Sequence, residues 1–174
     1  MHCRDDHGMR GGRHDRIQDK IYIEAQHASL NPIKEMPGLV PGSQSRPADV
    51  FIENWIDGGK VAFDVSVVSP TQDAILLQAA ETPASAIKMR KASKIRDHFD
   101  ACRAQGVSFL PLVVETFGGW DADAVKHLKK MAVHDARRWG KKDSLEIKHF
   151  FQRLSVTLQR GNAALLVERD IEPV

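Results

Sequence analysis

Two aspartates stand at matching positions of a predicted β-hairpin. Asp49 comes just before the apolar run 50–52, and Asp64 lies inside a second apolar run, from Lys60 to Val68. The Asp57-Gly58-Gly59 turn between the runs is typical of a hairpin, and pairing across it brings the two carboxylates to one end of the sheet. Two acids held together repel each other unless a cation neutralises them, and their hard oxygen atoms suit Mg²⁺. The spacing therefore predicts a metal site.

Each aspartate also has a purely structural explanation. Asp49 follows Pro47 closely, and aspartate is common in turns and at the start of strands. Asp64 has mostly apolar neighbours, a pattern typical of a strand that is buried on both faces. A carboxylate in such a strand needs a partner, because burying an unpaired charge costs a large free energy. Both explanations stay open for Asp49, whereas Asp64 is harder to explain without a partner.

A set of motifs that includes both aspartates adds a resemblance to a known family. They are Arg46-Pro-Ala-Asp49, Ala62-Phe-Asp-Val-Ser-Val-Val-Ser-Pro70, Lys94, Cys102, Gly106-Val-Ser-Phe-Leu-Pro-Leu-Val-Val-Glu115 and Gly118-Gly-Trp120. Together they resemble the PD-(D/E)XK nuclease-like domain found downstream of reverse transcriptases in site-specific non-LTR retrotransposons and related retroelements. The likeness covers most of residues 13–169.

The resemblance implies a fold, an activity and site residues. The fold is α/β (α+β), a restriction-endonuclease-like mixed sheet flanked by helices, and the activity is metal-dependent nicking of DNA. Asp49 and Asp64 match the two acids that hold Mg²⁺ or Mn²⁺. The motif lysine usually stands two residues after the second acid, where this chain has Ser66. Some relatives supply that cation from the following helix, and Lys94 matches the position, with Lys91 as second choice.

Ser66 also favours an alternative, a catalytically inactive nuclease-like domain that binds nucleic acid or protein. Two further acids could approach the aspartates in either case. They are Glu24 in a predicted helix and Glu115 at the end of a predicted strand, and a solvated or loop-exposed acid is the alternative explanation for each.

Partners and location follow from the resemblance and the composition. The resemblance implies duplex DNA and a reverse transcriptase domain of the parent protein as partners. The chain has 174 residues, 42% hydrophobic and 28% charged, which suits one intracellular domain, nuclear in a eukaryotic host. No apolar run approaches the roughly 20 residues of a membrane helix, so no membrane partner is expected. The net charge of +2 is too small to indicate nucleic acid by itself.

The N-terminal residues are predicted to differ from the rest. Residues 1–14 are polar and glycine-rich, which is typical of a mobile arm, whereas residues 15–174 form the single nuclease-like domain. The resembling proteins often carry a Cys/His knuckle before this domain, so the arm could be its remnant. Cys3, His7 and His14 are candidate zinc ligands, although a closed site needs a fourth ligand.

Apolar periodicity and stop signals predict the remaining elements. They are helices over about 15–30, 73–104, 121–139 and 144–168, and strands over 33–36 and 109–115. Thr82-Pro83 predicts a break in the second helix, and Gly161-Asn162 marks a candidate interruption of the last. Pro111 suggests an edge strand or a strand entry.

The helix over 121–139 has an apolar side and a basic side. Lys126, Lys129 and Lys130 are the predicted nucleic-acid-binding residues, because a row of cations on one helix can contact successive phosphates. A charged face that is merely solvated is the alternative explanation.

Overall fold

A four-stranded mixed sheet lies at the centre of the computed structural model, which describes residues 7–42, 46–73 and 75–171. In order across the sheet, the strands are β1 (Ile33–Lys34), β2 (Val50–Ile52), β3 (Lys60–Val68) and β4 (Val107–Glu115). The pairs β1–β2 and β2–β3 are antiparallel, and β4 runs parallel to β3. The predicted α+β architecture with a mixed sheet is therefore confirmed.

Helices cover both faces of this sheet. Those in the described residues are α1 (His7–His27), α2 (Leu76–Glu81), α3 (Ser85–Ala104), α4 (Ala122–Arg138) and α5 (Asp143–Ile171). On one face α1, α4 and α5 pack with Phe63, Val65 and Leu112 in the main core. On the other face Cys102 of α3 packs with Ala62 and Phe109 in a smaller core. None of these helices is long and apolar enough to cross a membrane.

The hairpin of β2 and β3 has the predicted bounds. Val50 lies opposite Phe63 and Ile52 opposite Val61. Gly58 and Gly59 in the turn have φ values of +82° and +81°, a left-handed conformation that glycine adopts without a steric penalty. Because β2 has three residues and β3 has nine, the second half of β3 extends past its partner on that side.

The helix α1 is longer than predicted. It begins at His7 instead of near Asp15, so residues 7–14 of the predicted arm are helical, while residues 1–6 lie outside the described part. Contacts with α5 explain the extension, because Arg13 donates a hydrogen bond to the Asn162 side chain at 3.1 Å. Tertiary packing thus stabilises turns that have little apolar periodicity of their own.

The helix α5 continues through Gly161-Asn162, so the candidate interruption there is wrong. A side chain at Gly161 would place its Cβ 3.1 Å from Arg13 Cγ, which indicates that glycine permits α1 to approach closely. Asn162 also donates to the Thr116 carbonyl at 2.8 Å. The predicted break near Pro83 is confirmed, because α2 ends at Glu81 and α3 begins at Ser85.

The strand β4 lies at an edge of the sheet and pairs along its length with β3. Pro111 at its middle agrees with the predicted edge position. The following segment covers part of the outer edge: Glu115 N–H donates to the Gly119 carbonyl at 2.7 Å, and Asp121 N–H donates to the Val113 carbonyl at 2.9 Å.

Candidate active site

Asp49, Asp64 and Lys94, which were predicted to act together, line one cleft of about 450 Å³. Asp49 enters it just before β2, Asp64 from β3 and Lys94 from α3. The other polar side chains of the cleft are His14, Arg46, Ser66, Gln72 and Arg90. Three separate parts of the fold therefore converge on this place.

Asp49 has a structural role at this position. Its Oδ2 accepts a hydrogen bond from Val65 N–H at 2.7 Å. Val65 belongs to the half of β3 that extends past β2, so the carboxylate takes the place of a neighbouring strand's carbonyl there. Asp49 therefore lies at the entry to a strand, as its structural explanation predicts, and also lines a cleft, while its role as a metal ligand stays a prediction.

His14 reaches the same edge from the helix α1. Its Nε2 lies 3.1 Å from Asp49 Oδ2 and 3.1 Å from the Val65 carbonyl oxygen, and its Nδ1 lies 3.1 Å from Asp15 Oδ1. The hydrogen bond with Asp49 raises the pKa of His14 to about 9, although partial burial opposes the shift. Acceptors at both ring nitrogens suit a doubly protonated imidazolium, in which both nitrogens donate.

The sequence also makes His14 a candidate zinc ligand, whereas in the structure its ring forms hydrogen bonds. The ring contacts a carboxylate and a carbonyl, and its proposed co-ligand Cys3 lies outside the described residues.

Asp64 is the most buried acid of the cleft, with 4% of its surface exposed. Lys94 Nζ donates to Asp64 Oδ1 at 2.9 Å, whereas Oδ2 is buried and has no hydrogen-bond partner among the described residues. Burial raises the pKa of Asp64 to about 6 even though Lys94 opposes the shift, and the Asp49 charge adds to it. This carboxylate therefore has one buried oxygen atom without a hydrogen bond within the described residues.

Arg90 and Ser66 form a contact that the sequence did not predict. Ser66 is buried on β3, two residues after Asp64, and its Oγ accepts a hydrogen bond from Arg90 Nε at 3.2 Å. Arg90 precedes Lys94 by one helical turn, so both side chains leave α3 on the same side. A cation thus lies beside the position where the resembling motif has its lysine.

The sequence contained a signal for Arg90 but none for His14. Arg90 and Lys94 have the four-residue spacing of helical neighbours, which could have identified the arginine. His14 meets Val65 across 51 positions of sequence, and no local pattern encodes that contact.

The other candidates lie elsewhere. Lys91 donates to Asp121 at 2.9 Å and also pairs with Asp123, so it is directed away from Asp64, as expected of the second choice. Glu24 is neither solvated nor part of the cleft, because it is buried and paired with Arg153 at 2.6 Å. Glu115 is half-buried at the end of β4 and is not a lining residue of the cleft.

Lys126, Lys129 and Lys130 lie on α4 and line a different concavity. The helix α4 packs in the main core, on the sheet face opposite α3, which carries Lys94. None of the three lysines lines the cleft. A nucleic-acid-binding role for them stays a prediction and is separate from the cleft.

The cleft can be tested for its fit to a divalent cation. Across 7–42, 46–73 and 75–171, no group of three or more His, Cys, Asp or Glu side chains is arranged to hold a metal ion. Mg²⁺, however, is commonly bound through one or two carboxylates and completes its shell with waters and substrate phosphates. Asp49 and Asp64 both line this polar cleft, and Asp64 has one oxygen atom without a hydrogen bond in this part of the chain, so the two carboxylates fit that mode of binding.

No protein-family model matches the chain, and a search among curated proteins gave no match.

The protonation of His14 leads to a prediction about pH. A histidine with a raised pKa stabilises the fold fully below its unfolded pKa, near 6.5, and loses that contribution as the pH rises through about 9. After allowance for solvent screening, the metal-free protein should lose about 1–2 kcal/mol of unfolding free energy over this interval. Denaturant titrations at several pH values in EDTA would measure it.

The matched variants for this experiment are His14→Gln and His149→Gln. His149 is an exposed histidine on α5. The first variant should lose the pH-dependent step and the second should keep it. Identical pH profiles for wild type and His14→Gln would contradict the assignment.

Proposed function

We propose that this chain is a metal-dependent endonuclease domain that nicks duplex DNA. The observation that carries the proposal is the convergence of Asp49, Asp64 and Lys94 on one open cleft, with Asp64 buried, bonded to the lysine through one oxygen and free at the other. An apolar strand does not retain such an acid for stability, because its burial opposes ionisation. A buried acid of this kind is expected in a site that binds a cation, because the cation stabilises the ionised carboxylate.

Asp49 and Asp64 are the residues that would hold Mg²⁺ or Mn²⁺. When bound, the ion would lower the pKa of a coordinated water and neutralise charge on the scissile phosphate. The chain's own contribution is to keep Asp64 ionised: burial raises the pKa of this acid, and the Lys94 ammonium at 2.9 Å opposes that effect. Lys94 can then also stabilise charge that develops on the phosphoryl oxygens.

Arg90 adds positive charge to the same cleft, whereas Arg46, which also lines it, pairs with Glu35 at 3.1 Å. Arg90 bonds to Ser66 through Nε, which leaves the two terminal nitrogens of its guanidinium for other acceptors. A planar guanidinium is well suited to a phosphate. In this proposal Arg90 therefore anchors the DNA backbone beside the scissile bond.

The parent protein, in this proposal, is a retroelement protein in which a reverse transcriptase domain accompanies this chain. The fold is then restriction-endonuclease-like, and the nick primes reverse transcription in the cell interior, or in the nucleus of a eukaryotic host. The motifs from Arg46 to Trp120 support this part.

A plasmid-nicking assay tests the activity. The protein should convert supercoiled plasmid to the nicked form with Mg²⁺ or Mn²⁺ and should fail to do so in EDTA. Absence of nicking under every metal condition, with a folded protein, would exclude the endonuclease.

The substitution Lys94→Ala tests whether Lys94, and not the nearby Lys91, is the catalytic lysine. Lys94→Ala should reduce the nicking rate by about 100- to 1,000-fold, because it removes a cation aimed at the reacting phosphate. The assay is best run near pH 8, since loss of Lys94 raises the pKa of Asp64 further. Lys91→Ala is the control, because its ammonium pairs with Asp121 outside the cleft. Equal losses in both variants would refute the assignment.

A catalytically inactive nuclease-like domain that binds nucleic acid or protein is the second candidate. Two observations favour it: Ser66 replaces the motif lysine, and the His14 ring bonds to Asp49 and to the Val65 carbonyl, two acceptors of the cleft. This domain would bind duplex DNA with and without Mg²⁺ and would nick it under neither condition.

A further inference from the structure

A second concavity, which we call the α4 groove, lies on the opposite side of the sheet from α3. Its volume is about 740 Å³. It is bounded by the turn after β2, the outer side of α4 and the beginning of α5.

The floor of the α4 groove is apolar. Ile56, Val125, Val133 and Ile147 are all half-buried, so each presents part of an aliphatic side chain to the groove. The groove follows α4 from Ala122 to Arg137, a length of about 22 Å at about 1.5 Å per residue. An elongated apolar floor of this kind is typical of grooves that receive the apolar side of a helix.

The rim of the α4 groove is positively charged. Lys130 pairs with Asp57 and Arg137 with Asp143, so those two cations are locally neutralised. Lys126 and Lys129 are exposed and have no ion pair within the described residues. The groove therefore has a surplus of positive charge beside an apolar floor.

We propose that the α4 groove binds an acidic amphipathic helix of a partner protein, with the apolar side chains of that helix on the floor and its carboxylates at Lys126 and Lys129. Charge complementarity selects an acidic partner. The apolar floor favours a protein over nucleic acid, because a hydrated phosphate backbone gains nothing from contact with Val125, Val133 or Ile147. The proposal goes beyond the nuclease function and is independent of it.

Labelled peptides of about 18 residues, roughly five helical turns, are the probe. The test panel carries Leu, Ile, Phe or Met at helical spacing along one side and Glu along the flanks. Two comparison peptides replace the apolar anchors by Ser or the Glu residues by Lys. A short random-sequence DNA duplex is measured alongside, and fluorescence anisotropy gives each dissociation constant.

Two groove variants and one control locate the binding. The double variant Lys126→Glu, Lys129→Glu removes the unpaired cations without touching the core, and Val133→Asp charges the floor. Lys88→Glu with Arg103→Glu changes the charge equally on α3, where both side chains are exposed. At least one acidic amphipathic peptide should bind the wild type. Its dissociation constant should be at least about 10-fold higher for both groove variants and unchanged for the control variant.

Three results would overturn the proposal. The first is that no peptide of the panel binds the wild type at up to about 1 mM, the range of the weakest specific affinities. The second is binding that the groove variants leave unchanged. The third is that DNA, or the acidic peptide with Ser anchors, binds the wild type as tightly as the acidic amphipathic peptide does and binds the double lysine variant more weakly. That result would make this surface a site for polyanions.

Discussion

Asp64→Asn is expected to abolish metal-dependent nicking while leaving the protein folded. The substitution keeps the shape of the side chain and an oxygen for Lys94, but it removes the charge that would hold the cation. Because metal ions contribute several kcal/mol to charge stabilisation in the transition state, the rate should fall by at least about 1,000-fold, equivalent to about 4 kcal/mol. Mn²⁺ affinity, measured by titration calorimetry without DNA, should fall with it.

The same substitution should alter the pH dependence of stability. Asp64 has a folded pKa of about 6 and an ordinary value of 3.8, so the native state holds a proton that the unfolded chain has already lost. The contribution of Asp64 to stability should therefore decrease as the pH rises between these values, and the difference between wild type and Asp64→Asn should change by that amount. Denaturant titrations between these pH values would show it.

Asp100→Asn is the matched control for both measurements, since Asp100 is exposed on α3. It should nick at the wild-type rate and keep the wild-type pH profile. If Asp64→Asn nicked as fast as wild type, any activity would have to come from another site or from a contaminating nuclease.

Among the substitutions proposed for this protein, Arg153→Ala is expected to lower the unfolding free energy the most. Arg153 on α5 donates to both oxygens of Glu24 on α1, at 2.6 and 2.7 Å, and to Glu146 at 2.7 Å. Both glutamates are buried, with 5% and 3% of their surfaces exposed. Removing one member of a buried ion pair leaves the other charge uncompensated, so the unfolding free energy should fall by about 3 kcal/mol. The midpoint of thermal unfolding should fall by about 6–12 °C.

The loss should depend on pH in a defined direction. Burial opposes ionisation of Glu24 and Glu146, but hydrogen bonds from Arg153 and a nearby lysine outweigh it and lower the pKa of both acids. Their contribution is present above the ordinary glutamate pKa of 4.5 and is lost as the pH falls through the lower folded values. Wild type and Arg153→Ala should therefore converge in stability at acidic pH.

Arg160→Ala provides the control, because Arg160 is exposed on the same helix. Its unfolding free energy should stay within about 0.5 kcal/mol of wild type. A similarly small effect of Arg153→Ala would mean that Lys20 and Lys141, which also pair with these glutamates, suffice to compensate them.

The hairpin that carries the two aspartates could be predicted because its signals are local. Gly58 and Gly59 supply the left-handed conformations of the turn, and the apolar run after them sets the length of β3. The break at Pro83 is equally local, because proline cannot donate the helical hydrogen bond. Where one short segment determines the backbone conformation, that conformation can be predicted from the sequence.

Partners of charged side chains could not be predicted in the same way. Glu24 meets Arg153 across 129 positions of sequence, and His14 meets Asp49 across 35. Such pairs depend on which helix packs against which face, and the periodicity of a single helix does not contain that information. The length of α1 was underestimated for the same reason, since packing against α5 stabilises its first turns.

Pro111 has a consequence for how this protein behaves at high concentration. Val113 and Glu115 use backbone groups on the outer edge of β4 to bond with residues 119–121, and Pro111 follows the same alternation, so its nitrogen faces that edge. A proline nitrogen has no hydrogen to donate there. The part of the edge from Val113 to Glu115 is already covered by residues 119–121. An incoming strand from another molecule therefore finds no continuous row of donors and acceptors to extend, which protects an otherwise apolar edge against aggregation.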